Sequence, residues 1–258
     1  MKLVSWNINS LNVRLPRLLD WLSANAPDVI CLQETKLEDA KFPVGPLEVA
    51  GYASHFAGQK TYNGVAILVR RGLDATDVMA GVDDFVDAQK RLIAATITGV
   101  RVVSAYVPNG QSVDSDKYRY KLAWCEAVAA HLKNALAKYP SLVIAGDFNV
   151  APDDRDVHDP ALWAGQVLCS EPERSAFRAF LDAGLVDSFR LFDQPPKTFS
   201  WWDYRQLAFP KGHGLRIDHA LLSAPLAARC TSSLIDRNAR KGKQPSDHAP
   251  VIVEFRDA

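Results

Sequence analysis

Leu142-Val143-Ile144-Ala145 runs directly into Gly146-Asp147-Phe148-Asn149. The apolar run has the length and composition of a buried strand. A carboxylate and a carboxamide therefore sit where a strand gives way to a loop, the edge of an α/β fold on which chemistry is commonly placed. Three further predicted strand ends carry amide, acid or imidazole groups: Trp6-Asn7, Gln33-Glu34 and Ser246-Asp247-His248. That recurrence points to a divalent-metal hydrolytic site.

The chain has 258 residues, enough for one large α/β domain or two small ones. Thirty Lys and Arg against thirty Asp and Glu leave no net charge. This neither favours nor excludes nucleic acid, because an acidic metal cluster cancels a basic face in the sum. Cys31, Cys125, Cys169 and Cys230 form no C-x-x-C pair, which argues against a zinc site or a redox dithiol. Cys31, in an apolar strand, and Cys125, on an amphipathic helix, read as small core residues. No signal-like segment precedes the first strand and no apolar run reaches membrane-spanning length. A cytoplasmic protein with reduced thiols and no membrane partner is expected.

Strand and helix patterns alternate along the first half. Leu3 to Ile8, Val29 to Gln33, Val65 to Val69, Leu92 to Ile97 and Arg101 to Val107 read as strands. Leu15 to Ala24 and Asp116 to Lys138 carry apolar residues at helical spacing. Arg155 to Glu173 reads as a long loop with short helical pieces, and Ser175 to Ala183 as a helix closed by Gly184. Phe199 to Trp202, Ile217 to Leu222 and Val251 to Phe255 complete the predicted strands. Two packed sheets with helices outside, in one domain over residues 1–258, fit this plan.

The candidate groups each admit two readings. Glu34, with Asn7 on a neighbouring strand, could supply the few oxygen ligands a hard cation needs, or it could be a solvated strand-end charge. Asp147 and Asn149 could orient a water and hold a phosphoryl oxygen, or they could close an Asx turn. Asp247-His248 could serve a metal and a scissile phosphate, or cap a loop. Asp218, an acid within an apolar strand, needs a partner. His248 would be one, as in the orienting arm of a triad, and Arg216 another. Tyr106 and Asn109 could bind phosphate, although Pro108-Asn109-Gly110 makes a turn in any case. His219 reads as structural, and His55, His131, His158 and His213 give no reason to be taken as ligands. No G-x-S-x-G elbow, P-loop or G-x-G-x-x-G occurs, which disfavours serine hydrolase and nucleotide-cofactor chemistry. The basic stretch Arg237 to Lys243, together with Arg205, Lys211 and Arg216, suits a polyanionic backbone or is merely solvated. Phe199, Trp201 and Trp202 could receive an extruded sugar or base, or lie in the core.

Six segments occur in the order seen in the exonuclease III family. They are Ser5-Trp6-Asn7-Ile8-Asn9, Leu32-Gln33-Glu34-Thr35-Lys36, Tyr106-Val107-Pro108-Asn109-Gly110, Gly146-Asp147-Phe148-Asn149, Leu215-Arg216-Ile217-Asp218 and Ser246-Asp247-His248-Ala249-Pro250. The chain resembles these AP endonucleases and 3′-exonucleases of the endonuclease/exonuclease/phosphatase superfamily over essentially its whole length. The resemblance implies a four-layer α/β sandwich, two packed mixed β-sheets flanked by helices. It implies one or two ions of Mg²⁺ or Mn²⁺, held by Asn7, Glu34 and Asp247, with Asp147, Asn149 and His248 around a second. Asp147 would position or deprotonate the attacking water, Asn149 would contact the phosphate, and Asp218 would orient His248. Tyr106 and Asn109 would touch phosphate, with Arg216 also on the substrate side. Trp201, Leu215 and Ile217 would form a small apolar pocket for a flipped abasic sugar.

The resemblance therefore implies a monomeric enzyme of base excision repair. Its substrate would be double-stranded DNA, cut 5′ to abasic sites and trimmed at 3′ ends. Ala151 to Ala176 departs from the family in being Pro- and Asp-rich without a basic stripe, which leaves the balance of the two activities open. A phosphatase or phospholipase acting on a small phosphoester, and a catalytically silent nucleic-acid-binding protein, are the alternatives.

Overall fold

The structure, a computed structural model, describes residues 1–256; Asp257 and Ala258, the last residues of the expected domain, lie outside the described residues. The first sheet runs in spatial order β11 (Cys230–Ile235), β12 (Val251–Phe255), β1 (Lys2–Asn7), β2 (Val29–Gln33), β4 (Val65–Arg70), β3 (Tyr52–Ala57). The second runs β5 (Ala75–Ala80), β6 (Leu92–Ile97), β7 (Val100–Tyr106), β8 (Leu142–Asp147), β10 (Asp218–Ser223), β9 (Leu185–Asp187). Each sheet has one parallel pair at its centre, β1 with β2 and β7 with β8, among antiparallel neighbours.

Period-2 alternation builds the layers. Leu3, Val29, Cys31, Val65 and Ile67 face Ile93, Val102, Val143 and Ala220 of the other sheet and form the central core. The alternate residues Val4, Trp6, Ile30 and Leu32 face outward onto α1 (Leu11–Asn25) and α2 (Val44–Val49). Val103, Ile144 and Leu221 face outward onto α3 (Asp116–Lys138) and, beyond the short α4 (Pro160–Trp163), α5 (Glu171–Asp182). Helix, sheet, sheet, helix is the expected four-layer α/β sandwich. Strands covered on both faces need no polar side, so they read as continuous apolar runs. Burial pushes the Cys31 and Cys125 thiols up to about 12, in keeping with inert core residues.

Several expectations shift. The helix expected from Leu15 begins at Leu11 and carries Pro16 within it. Phe199 to Trp202, expected as a strand, forms only isolated bridges, Trp201 meeting both Leu215 and His248. Strands β3, β5, β9 and β11 are additional, and the largely exposed β5 and the half-buried β11 are edge strands whose apolar alternation is too weak to read. Gly146 is fixed by packing, since a Cβ there would lie 1.8 Å from the Ala105 carbonyl oxygen of β7.

Behind β10 lies a buried polar cluster. Arg216 donates to Asp156 (2.7 Å) and Asp187 (2.8 Å) and reaches His219 Nδ1 at 3.0 Å. His219 Nε2 lies 2.9 Å from the Val150 carbonyl oxygen. This geometry suits a neutral imidazole that donates from Nε2 and accepts at Nδ1. Burial, with the Arg216 cation beside it, pulls His219 down to about 4. An unfolded chain protonates this group near 6.5, so between there and about 4 the unfolded state binds the extra proton. Stability is therefore expected to fall by roughly 3 kcal/mol as pH drops through that window. Urea denaturation from pH 7 to 4 checks it. His219→Gln, which keeps a donor and an acceptor, should remove most of the slope, and an unaltered slope would assign the effect to other groups.

Candidate active site

Strand pairing assembles the centre of the site. Asp147 ends β8, and its register neighbours are Tyr106 of β7 on one side and Asp218 of β10 on the other. Asn7 ends β1 in the opposite sheet, in register with Gln33 of β2, so Glu34 follows beside it. The Asn7 amide donates to Asp147 Oδ2 (2.9 Å) and to Glu34 Oε1 (3.1 Å), joining the two sheets. Tyr106 donates its hydroxyl to the same Glu34 oxygen at 2.6 Å, and Lys36 Nζ lies 2.8 Å from Glu34 Oε2. Burial works against an ionised Glu34, but Lys36, Tyr106 and Asn7 outweigh it and hold the carboxyl below its usual range.

Phe148 anchors the loop after β8. It is fully buried, edge-on to Phe177, Phe180 and His219. The residues on either side are thereby held toward the cleft. Asn149 takes a left-handed conformation (φ 50°), not the extended one that alternation suggests. Its backbone N–H donates to Asp147 Oδ1 (2.9 Å), its amide donates to the Val107 carbonyl (2.9 Å), and its Oδ1 accepts from Asn109 (3.0 Å). Asp147 and Asn149 thus form the Asx turn and also belong to the polar cluster.

His248 is buried, with Nδ1 2.9 Å from Asp218 Oδ2 and Nε2 3.8 Å from Asp147 Oδ2. The Ser200 hydroxyl donates to Asp218 Oδ2 at 2.6 Å and fixes the carboxylate. Ser246 Oγ accepts from the His248 N–H (3.2 Å) and donates to the Asn7 carbonyl (2.6 Å), tying this loop to the end of β1. Burial disfavours the imidazolium, but the Asp218, Asp147 and Asp247 carboxylates overcome it and raise His248 to about 10. Burial also raises Asp147 toward neutrality, against the pull of the His248 cation. The two shifts belong to one coupled pair.

Asp247 forms the rim, accepting from Asn9 Nδ2 at 2.7 Å and from the Trp201 indole N–H at 3.1 Å. Asn9 Oδ1 accepts in turn from Lys36 Nζ at 2.6 Å. Asn9 and Lys36 had no role in the sequence analysis. The available signal was their place in the same polar strand-end segments as Asn7 and Glu34.

The structure thus gathers Asn7, Glu34, Tyr106, Asp147, Asn149, Asp218, Asp247 and His248, with Asn109 at the exposed edge. Three expected substrate contacts lie elsewhere or closed. Arg216 is buried behind β10 in its ion pairs, so it is a scaffold residue and not a surface contact. Leu215 and Ile217 are buried with Val157 and Leu168, and the half-buried Trp201, Trp163 and Val167 pack against them. In the basic stretch, Arg240 is also buried and donates to the Ser246 carbonyl.

The profile of the Endonuclease/Exonuclease/phosphatase family matches residues 4–248. The chain belongs to this family. It is 36% identical to exodeoxyribonuclease III of Haemophilus influenzae, over 99% of this chain and all of that one. It is 32% identical to the DNA repair nuclease APEX1 of Danio rerio, over 98% of this chain and 81% of that one. Among solved structures it is similar to the Neisseria 3′ phosphatase NExo bound to a product DNA hairpin, with 43% identity and a TM-score of 0.96 over 99% of both chains. The AP endonuclease from Archaeoglobus fulgidus is similar at 37% identity and a TM-score of 0.94, again over 99% of both. The family is metal-dependent, and the acids gathered here could form a metal site. No helix among the described residues is long and apolar enough to cross a membrane.

In the metal-free protein His248 is expected to stay protonated to about pH 10, and Asp218→Asn to bring it down toward its ordinary value. A side-chain ¹⁵N NMR titration of the imidazoles checks this. Loss of the His248 proton near pH 6.5 in the unaltered protein would show that the ion pair does not set its charge.

Proposed function

We propose that the protein is a metal-dependent DNA phosphodiesterase of base excision repair, acting as a monomer through one domain over residues 1–258. It incises duplex DNA 5′ to abasic sites, leaving a 3′-hydroxyl, and removes nucleotides or blocking groups from 3′ ends. The observation carrying this reading is the apposition of His248 and Asp147 across 3.8 Å, beside oxygen donors from the opposite sheet. A phosphate-binding cation, a buried base and a hard-cation ligand set then share one cleft. Full-length similarity to exodeoxyribonuclease III and to the DNA-bound NExo supports DNA as the substrate.

The donor set fits Mg²⁺ or Mn²⁺, because Glu34, Asp247 and Asn7 offer oxygens and hard cations take oxygen ligands. Asp147, Asn149 and His248 frame the place for a second ion. Asp147, Asp218 and His248 also offer ligand atoms within 4.8 Å of one another. Asp218 is engaged by Ser200 and His248 Nδ1, however, which makes it the orienting group of that trio. When bound, the ion polarises a phosphoryl oxygen and neutralises developing charge.

The side chains divide the remaining work. Asp147, whose basicity burial raises, positions the attacking water and takes its proton. Asn149 holds Asp147 in place and meets the phosphate. His248, kept cationic and oriented by Asp218, faces the charge that builds on the phosphoryl oxygens. Tyr106 remains a neutral phenol, since burial and then Glu34 raise it well above its ordinary value, so it serves as a donor. Asn109 adds a donor at the exposed edge.

The closed packing over Leu215 and Ile217 favours 3′-end processing over internal incision, because an extruded sugar would have to displace Trp201 or Val167. The experiment is cleavage of an end-labelled duplex with one internal abasic site, beside an intact duplex with a free 3′ end, each with Mg²⁺ and with chelator. Metal-dependent shortening from the 3′ end, with weaker incision at the lesion, is expected. No metal-dependent cleavage of either substrate would overturn the reading.

Asp147→Asn is expected to abolish most hydrolysis while duplex binding survives, and a parallel loss of binding would contradict its role as base. His248→Ala should raise the barrier by roughly 3 kcal/mol, read as a fall in the single-turnover rate constant.

A further inference from the structure

A lysine with no part in the mechanism lies wholly buried behind the cleft. Lys121 projects from α3 between the cleft and α5. An ammonium has three donors and no acceptor. Here each donor has a partner: Glu173 Oε1 of α5, the Asn149 carbonyl (2.7 Å) and the Asn109 carbonyl (3.2 Å). Asn109 lies just beyond the end of β7 and Asn149 just beyond the end of β8, so one point charge gathers the two loops that carry these asparagines. Neutralising Glu173 does not require that convergence. Its carboxylate also accepts from the Leu168 N–H (3.0 Å), the Ser170 N–H (3.1 Å) and the Ser170 hydroxyl.

The contact to Asn149 bears on the backbone. Asn149 is left-handed (φ 50°), a region sparsely used by residues other than glycine. Its N–H donates to Asp147 Oδ1, its amide donates to Asp147 Oδ2 (3.2 Å) and to the Val107 carbonyl, and its own carbonyl accepts from Lys121. Return of Asn149 to an extended conformation would swing the carbonyl off the ammonium and the side chain off Asp147. A buried carbonyl left without a donor is costly, so the ammonium opposes that return. The Asn109 loop is pinned from the same helix. The Ser115 hydroxyl, which caps α3, donates to the Gly110 carbonyl at 2.6 Å. Gly110 (φ 95°) lies against the lysine stem, where a Cβ would stand 3.2 Å from Lys121 Cδ.

We propose that Lys121 is a positioning residue for the reaction. Without touching substrate, it fixes the left-handed turn at Asn149 and the placement of Asn109, and so sets both carboxamides at the cleft. Lysine suits this task because its charge is a compact point with three rotatable donors, whereas the planar fork of arginine is not shaped for three converging acceptors. The bearing of Lys121 on catalysis rests on the function proposed above. Its bearing on the conformation of Asn149 does not.

The test uses the full-length parent, Lys121→Met and Lys121→Met/Glu173→Gln. The double variant buries no unpaired charge and keeps a capping-box side chain, so it carries the test where Lys121→Met fails to fold. The first readout is the side-chain ¹H–¹⁵N pair and the ¹³Cα resonance of Asn149, in chelator and without DNA, assigned through Asn149→Gly. Both should move in the lysine variants, while the Trp21 indole resonance, in the opposite helical layer, stays in place. The second is the single-turnover rate constant on a duplex with a recessed 3′ end, beside duplex affinity measured in chelator. The rate constant should fall about tenfold with affinity within about twofold of the parent, because misplaced carboxamides weaken the transition state more than binding. In the Asn149→Gly background, where the left-handed turn costs nothing and the carboxamide is absent, the fall should shrink to about twofold. Unmoved Asn149 resonances, an unchanged rate constant, or an equal fall in both backgrounds, the signature of a merely structural lysine, overturns the proposal. A parent that cleaves no DNA removes the nuclease reading and leaves the resonance test standing.

Discussion

The hydrogen bond from Asn7 to Asp147, beside the one from Tyr106 to Glu34, spans the two halves of the sandwich at the point where chemistry is placed. Asn7 ends a strand of one sheet, Asp147 ends a strand of the other, and their side chains meet at 2.9 Å. That contact forms only if the sheets keep their separation and the strand ends keep their register, and the interdigitated central core fixes both. Each sheet contributes its parallel pair, whose carboxyl ends point the same way. The cluster therefore needs no long loop to bring its members together. The segment Ser246 to His248 closes it, through Ser246 to the Asn7 carbonyl and through the Trp6 indole to the His248 carbonyl.

Burial makes the charges interdependent. An isolated buried imidazolium would neutralise itself, so His248 stays cationic only through the Asp218, Asp147 and Asp247 carboxylates around it. The same rule governs the scaffold behind the site. Lys121 and Glu173 are a fully buried ion pair, and Lys121 also donates to the carbonyls of Asn109 (3.2 Å) and Asn149 (2.7 Å). Glu173 completes the capping box of α5 with Ser170. The Asn109–Asn149 side of the cleft is thus set by α3 and α5, and the Asn7–Glu34 side by β1 and β2.

Much of this was legible because apolar runs and their polar endings are local. The strand before Gly146, the helix Asp116 to Lys138 and the partnership of Asp218 with His248 all follow from patterns within a few residues or from the need of a buried acid for a partner. Edge strands β5 and β11 were not legible, since half-solvated residues leave no alternation. The substrate side was misread for a different reason. Arg216 stands two residues before Asp218, where strict alternation would put both on one face, but it precedes β10, and its side chain turns to Asp156 and Asp187 while Asp218 meets His248. Asn9 and Lys36 were missed because their role, linking Glu34 to Asp247 across the rim, exists only once the two loops meet.

The zero net charge is resolved by the same geometry. Counting cations along the chain treats Lys121, Arg216 and Arg240 as available to a polyanion, yet all three are buried and engaged with protein acceptors. Arg101 is buried as well and donates to the Asp77 carbonyl. The cations that can meet a phosphate are those left exposed; Lys197, Lys211 and Arg237 are exposed and, among the described residues, make no ion pair. What determines attraction to an anion is therefore the set of unneutralised cations on one face, and a chain whose charges sum to zero can still carry such a face.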